Sequence, residues 1–351
     1  MVFDKYSAAA VGGLITCLSF ASNALANGQV WVEGSYEYLA LPDVRFVNNY
    51  FSMAVADLVV RDEFRNDDGD FDGFRIDGGI ANIPIMGGAY QAGMRGFFAW
   101  HDDRSDLRCT NTPATPGTLC LANPLIDDTA LIQAVGQFLG NAQLFTTDRD
   151  VNHWGVAVDV AQAPMGLKVG PAFRRIAQDL TITGRETSFN VVPDPYRLTY
   201  REELDTNYWG AFMGARGQID LGGGWSLSGD GEAGLYWADT GYSGSYVVTN
   251  ANFAGPLNPN VDQRLSLDSD ELAFIGVVKG SLEKDFGLFR LAGFGRVEYI
   301  SSAPDVAYND QDVVAGLTTT QGPEDETRLG ERYAYTASAG ARLTVPMGSG
   351  Q

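Results

Sequence analysis

Tyr208-Trp209-Gly210-Ala211-Phe212-Met213-Gly214-Ala215-Arg216-Gly217-Gln218-Ile219-Asp220-Leu221 alternates with a period of two residues. Trp209, Ala211, Met213, Ala215, Gly217, Ile219 and Leu221 form one face. Tyr208, Gly210, Phe212, Gly214, Arg216, Gln218 and Asp220 form the other. Successive side chains of a strand point to opposite sides, so this pattern predicts a strand with one apolar and one polar face. The next stretch repeats it, with Trp225, Leu227, Gly229, Gly231, Ala233, Leu235 and Trp237 set against Ser226, Ser228, Asp230, Glu232, Gly234 and Tyr236. Tyr333 to Val345 does so again.

Working outward, ten such segments are found, near 30–40, 71–83, 87–100, 150–161, 166–178, 205–220, 224–239, 270–283, 287–301 and 331–345. Short turns (Ile83 to Gly87, Gln162 to Met165, Leu221 to Gly224, Lys284 to Phe286) alternate with long connections throughout. In an up-and-down antiparallel barrel this places every tight turn at one end and every long loop at the other, the asymmetry of outer-membrane barrels. The fold class expected is all-β: a single transmembrane β-barrel of about ten strands, with short periplasmic turns and long extracellular loops.

The two faces indicate what surrounds the wall. On the apolar parity, Trp100, Trp154, Phe173, Trp209, Trp237, Tyr299 and Tyr335 lie near the long-loop end of their strands, as an interfacial aromatic belt would. The polar parity carries Glu33, Glu37, Asp77, Asp159, Asp220, Asp230, Glu232, Glu283 and Glu298 against Arg75, Arg95, Lys168, Arg174, Arg216, Lys279, Arg290, Arg296 and Arg342. These charges cancel, so they can pair inside the barrel, and the chain's net charge of -20 is left to loops and turns. That charge also argues against nucleic acid as a partner.

Residues 1–26 read as a secretory signal: Ala8 to Ala21 is apolar, and Ala24-Leu25-Ala26 is a small-x-small cleavage site. Residues 27–351 would then form the barrel, in the outer membrane of a Gram-negative cell. Cys109 and Cys120 remain in the exported chain and are expected to form a disulfide. Outer-membrane lipid, lipopolysaccharide and the barrel-assembly machinery are the expected partners, with small solutes; oligomeric state is left open. No cofactor and no metal are expected. Asp68-Gly69-Asp70-Phe71-Asp72-Gly73 matches the start of a calcium loop, but its twelfth position is Gly79 rather than Glu. In the long connections, Leu125 to Phe145 has the spacing of an amphipathic helix, and Val47 to Val60 forms a comparable segment.

Tyr208 to Gly217, followed by Asp220-Leu221-Gly222-Gly223-Gly224-Trp225-Ser226-Leu227, resembles the legionella-type major outer-membrane, pore-forming proteins, whose Gly-x-Arg-x-Gly strands precede a Leu-Gly-x-Gly turn. The resemblance covers two strands, with an echo at Gly287 to Glu298. It implies a porin-like role. Ser338-x-Gly340-x-x-Leu343-x-Val345 is similar to the terminal signal read by barrel-assembly machinery, although the chain ends without the usual aromatic.

The function expected is passive diffusion of ions or small solutes through a charged lumen. Its pore-lining residues would be Glu33, Glu37, Arg75, Asp77, Arg95, Asp159, Lys168, Arg174, Arg216, Asp230, Glu232, Lys279, Arg290, Arg296, Glu298 and Arg342. The acidic loops would give it a weak cation preference. The alternative is a closed structural or adhesin barrel acting through its loops, since small barrels are largely filled by side chains. An enzyme is not expected. The omptin-type surface proteases are ten-stranded barrels, and His101-Asp102-Asp103 could approach Asp148, Asp150 and His153 near the rim, but the flanking residues do not resemble that family's motifs.

Overall fold

The computed structural model describes residues 28–42, 44–51, 59–67, 69–110, 142–162, 166–187, 196–250, 261–307 and 328–347. Ten strands close into one antiparallel barrel: β1 (Gln29–Ala40), β4 (Asp70–Ile85), β5 (Tyr90–Thr110), β6 (Ala142–Gln162), β7 (Leu167–Thr187), β8 (Tyr196–Gly222), β9 (Trp225–Asn250), β10 (Val261–Asp285), β11 (Arg290–Ala307) and β12 (Arg328–Pro346). Each pairs with its neighbours in sequence, and β1 pairs with both β12 and β4 to complete the ring. The expected fold class is observed, with its alternation of short and long connections.

Two expectations change. At both ends of Val47 to Val60 a strand replaces the expected helix: β2 (Val44–Phe51) and β3 (Val59–Asp67) pair antiparallel within the first long connection, and residues 52–58 lie outside the described residues. Val44, Val47, Val59 and Val60 with Phe46, Tyr50, Phe51 and Phe64 are β-branched or aromatic, types that favour extended backbone. The stretch Leu125 to Phe145 also ends in a strand, because Ala142 to Phe145 already belongs to β6; residues 111–141 lie outside the described residues. So do residues 1–27 and Cys120. Cys109 stands on β5.

Six strands, β5 to β10, run far past the ends foreseen for them, β8 reaching 27 residues. The barrel is therefore lopsided, with a six-stranded wall rising above the shorter β1, β4, β11 and β12.

The outward parity has two zones. Below lie Val156, Val158, Val160, Leu167, Val169, Met213, Ile219, Leu235, Val278, Leu282 and Val297, all well exposed, with Met213 and Val278 at 69%. An aromatic belt bounds this zone at the long-loop end. Tyr36 meets Phe74 edge-on, Phe74 meets Trp100, Trp154 meets Phe173, and Phe173 meets Trp209 with centroids 4.2 Å apart. Trp209 is registered with Trp237, and Tyr299 with Tyr335. At the turn end stand Trp225, Tyr90 and the stacked Phe286 and Phe289. Along β9 the two belts are marked by Trp225 and Trp237, roughly 30 Å apart for a strand rising about 3.3 Å per residue at about 40° tilt.

Above the belt the same parity becomes charged. Trp154 is followed by Asn152, Asp150 and Asp148; Trp209 by Asn207, Asp205, Glu203 and Arg201; Leu272 by Asp270 and Asp268. The apolar residues of the tall wall, Leu180, Ile182, Tyr200, Leu204 and Tyr242, are buried on the inner side instead.

The β6–β7 pairing keeps its register but is interrupted between Ala157↔Ala172 and Val160↔Val169, at Gly170-Pro171, where proline has no N–H to donate. A Cβ on Gly170 would stand 1.8 Å from the Val158 carbonyl oxygen, whereas one on Gly217 would meet nothing within 4 Å. Gly170→Ala should therefore lower stability in urea titrations by about 1–3 kcal/mol. Gly217→Ala should stay within about 0.5 kcal/mol of the parent. Equal effects would mean that the two strands are not this close.

Candidate functional site

The sixteen residues expected along a lumen all stand on the inward parity of their strands. Thirteen of them line one cavity, and all but Asp159 are held in clusters of ion pairs, some of which reach across the barrel; the strands position each partner through register. Arg75 lies opposite Ser35 on β1, so its guanidinium reaches Glu37 at 3.1 Å while its Nε donates to Asp77 at 2.8 Å. Asp77 also accepts from Arg296 at 2.9 Å, and Arg296 reaches Glu298 at 3.0 Å. Arg174 of β7 meets the same Glu298 of β11 across the lumen. The ring of Phe97 sits among these cations, 3.7 Å from the Arg75 guanidinium, 5.6 Å from Arg174 and 5.8 Å from Arg296. Such contacts favour cations held over an aromatic face.

Nearer the turn end lie two further clusters. Lys168 bonds Asp230 at 2.7 Å and also Glu232, which takes Arg95 as a second partner across the barrel. Arg216 reaches Asp230 at 3.2 Å. On the opposite side Glu33 is paired with Lys279 and Arg342, and Glu283 with Arg342 and Arg290 at 3.2 and 3.3 Å. Asp159 borders the cavity below, beside Gly93. Asp220 takes no part, because its Oδ1 accepts from the Gly222 amide and shapes the β8–β9 turn.

The network separates two spaces. Below it a cavity of about 420 Å³ runs from Phe97, Arg174, Tyr236 and Arg296 down to Gln29, Asn82, Gln91, Gln162 and Gln218 at the turn end. Above it lies a cluster of buried apolar residues, Leu39, Leu41, Phe71, Val151, Ile176, Tyr208, Ala238, Ala273, Ile275, Ile300, Ala303 and Ala334, with Tyr236 at the boundary. Tyr208 ties this layer across the lumen, its hydroxyl donating to the Ser302 carbonyl at 2.9 Å. Glu37, Arg75, His153 and Glu298 are shut off from solvent.

The rim arrangement of carboxylates and histidines is not formed. His101 and His153 point inward and are buried, His101 Nε2 lying 3.5 Å from Glu37 and His153 Nε2 3.8 Å from Glu298. Asp102 and Asp150 are registered with one another on the opposite, outward face, and Asp148 shares it. Burial first, and then the carboxylates of Asp102 and Asp148, push the Asp150 carboxyl up from its ordinary range. Both histidines occupy odd positions on strands whose inward parity is already marked by Arg95 and Asp159, so the alternation assigned them to the interior. Phe97 was legible by the same rule. Asp70 and Asp72, from the calcium-like stretch, project outward on β4, and Asp68 lies outside the described residues. Among the described residues no group of three or more His, Cys, Asp or Glu side chains could hold a metal ion.

No protein-family model matches the chain, and no curated protein does. The resemblance carried by Tyr208 to Leu227 therefore has no counterpart there. Among solved structures, the translocator domain of the autotransporter NalP from Neisseria meningitidis is 10% identical, with 97% of this chain and 95% of that one covered and a TM-score of 0.36. The outer membrane protease OmpT from Escherichia coli is 8% identical, with coverages of 92% and 97% and the same TM-score. A Pseudomonas aeruginosa FadL homologue is 9% identical, with both coverages at 93% and a TM-score of 0.25. All three scores lie below 0.5, and neither the family nor the activity of this chain follows from them.

Glu298 is the carboxylate on which most of the buried layer converges. Removing it leaves Arg174 and Arg296 without their shared partner, so Glu298→Ala should cost about 3–5 kcal/mol in urea unfolding. Replacing Glu298 and Arg174 together by Leu and Met should recover a large part of that loss. A double variant as unstable as the single one would show that the charge balance is not what holds the layer.

Proposed function

We propose that this protein is a barrel of the Gram-negative outer membrane that is closed to passive diffusion and works through its long-loop end, as a structural or adhesive element of the cell surface. The observation that carries the reading is the coincidence of two boundaries. The outward face changes from Val, Leu and Trp to Asp, Glu and Arg at the aromatic belt. Close to the same height the interior is sealed by cross-lumen ion pairs and by the apolar layer above them. A wall bearing a roughly 30 Å apolar zone between two aromatic belts suits a bilayer's hydrocarbon core. A closed barrel satisfies its backbone there without leaving an edge in lipid.

One observation favours the porin-like alternative. The cavity below the network is polar and broad, and would become a passage if the two layers above it moved aside. The pore reading needs that rearrangement; the closed reading needs none. Lipopolysaccharide and outer-membrane lipid remain the partners proposed for the outer surface, and export through residues 1–26 with assembly by the barrel machinery is proposed for its route.

Two measurements test these statements separately. In planar bilayers the purified protein should give no stepwise conductance; regular openings with a weak cation preference would establish the pore instead. For the membrane placement, Val278→Arg lies amid the apolar zone and should weaken folding into phospholipid vesicles by about 2–4 kcal/mol. Glu203→Arg, above the belt, should change it by less than about 0.5 kcal/mol. Equal effects would contradict a bilayer at that height.

A further inference from the structure

Among the described residues the tall wall has an unpaired side. β10 pairs with β9 along nearly its whole length, from Val261↔Val248 to Lys284↔Trp225. Its pairing with β11 begins only at Ile275↔Ile300 and runs down to Asp285↔Arg290. Above Ile300, β11 carries an irregularity before Ala303 and thereafter, among the described residues, pairs with β12 alone, ending at Ala307↔Arg328. An irregularity of this kind bends a strand away from its neighbour. The seam is closed off by two side-chain bonds: the Phe274 amide donates to Ser301 Oγ at 2.8 Å, and Ser302 Oγ donates to Glu271 Oε2 at 3.0 Å.

The direction of the Phe274 amide identifies the open groups. Along a strand, the N–H and C=O of alternate residues point to the same side. The backbone groups of Leu272, Asp270, Asp268 and Ser266 therefore face the gap, and among the described residues no strand pairs with them there. Their side chains project outward and are exposed, whereas Leu265 and Leu267, on the inward parity, are half-buried. Asp239, opposite Asp270 on β9, adds a third acid to this face, while Arg264 already has a partner. The other flank of the wall differs, since β5 is touched by β3.

We propose that the upper half of β10 accepts, by strand addition, an extended segment of an exterior partner in which basic and apolar residues alternate. The backbone row supplies the hydrogen bonds and the alternate side chains supply the choice. Basic residues on the outward parity of the added strand lie next to Asp268 and Asp270, and apolar residues on its inward parity meet Leu265 and Leu267. A second copy of the same edge is disfavoured, because paired antiparallel it sets the carboxylates of one copy against those of the other. The identification of the partner as an exterior one rests on the proposed orientation of the barrel; the binding chemistry does not.

The experiment uses the full-length protein folded in detergent, where orientation has no bearing. A short fluorescein-labelled peptide of alternating Lys and Val is titrated and followed by anisotropy. Its analogue, N-methylated at every amide, keeps the charges and loses every donor. The parent protein should bind the first peptide and not the second. Ser266→Pro and Asp270→Pro each remove one amide from the open edge and leave the β9 pairing intact; each should weaken binding by about tenfold or more while heat-modifiable migration on gels is retained. Equal binding of the methylated analogue would reduce the effect to surface charge and overturn the proposal, as would an absence of binding by the parent. Concentration-dependent dimers of the parent that Ser266→Pro abolishes would assign the edge to a second copy instead. Failure of any of these leaves the vesicle-folding comparison of Val278→Arg and Glu203→Arg untouched, so the two readings fail separately.

Discussion

What surrounds the wall of this barrel changes at one height, and the rest of the structure follows from that change. Below the aromatic belt the outward parity is apolar and the inward parity charged; above it the outward parity is charged and the large apolar side chains turn inward, packed with a few buried polar groups such as Arg149 and Glu202. β8 carries both arrangements in one unbroken strand, with Trp209, Met213 and Ile219 outward below and Asp205 and Glu203 outward above, while Tyr200 and Leu204 turn inward. No single solvent produces both halves. Hydrocarbon around the lower wall and water around the upper wall do, because each half keeps its apolar side chains out of water by the means available to it.

The interior answers to the same constraint. With lipid outside, the lower lumen holds the polar side chains, and a charge there is tolerable only when paired and hydrogen-bonded. Arg75, Arg174 and Arg296 against Glu37, Asp77 and Glu298 meet that demand as a balanced set, with the Phe97 ring among the guanidinium groups. Buried pairs of this kind contribute little net stability relative to an apolar filling. Here they join β1 and β4 to β11, and β11 to β7, so they fix which faces of the barrel meet. The apolar layer above then completes the seal, and together they make a closed interior the functional premise.

Much of this was legible in the residues. Period-two alternation located all ten barrel strands, the turn ends and the inward parity of the sixteen charged residues expected along the lumen, because those features follow from backbone geometry alone; Arg149 and Glu202, inward on the extensions, were not among them. Strand lengths were not legible in the same way. The tall extensions of β5 to β10 keep the period but reverse its phase, so a search for outward apolar residues stops at Trp154, Trp209 and Trp237, where the surroundings change. The hairpin of β2 and β3 was missed because Val47 to Val60 contains apolar residues at spacings that suit a helix as well as a strand. The pairing of charges across the lumen was not legible either. Charge balance allows pairing, but only the register, bringing Arg174 opposite Tyr208 and within reach of Glu298, shows that the partners meet across the barrel. The open edge of β10 depends on the β11 irregularity between Ile300 and Ala303, for which Ser301-Ser302-Ala303-Pro304 gave no clear sign.

The central claim is that hydrocarbon meets the wall between the two belts, and tryptophan fluorescence reads it directly. Trp100, Trp154, Trp209, Trp225 and Trp237 all face outward at one belt or the other, and only Trp31 of the six tryptophans faces inward. The measurement is quenching of the protein, folded into vesicles, by lipids brominated at different depths along the acyl chain. The account predicts strong quenching that is greatest for bromines nearest the headgroups and weakens toward the bilayer centre. Emission unaffected by bromine at any depth would contradict it.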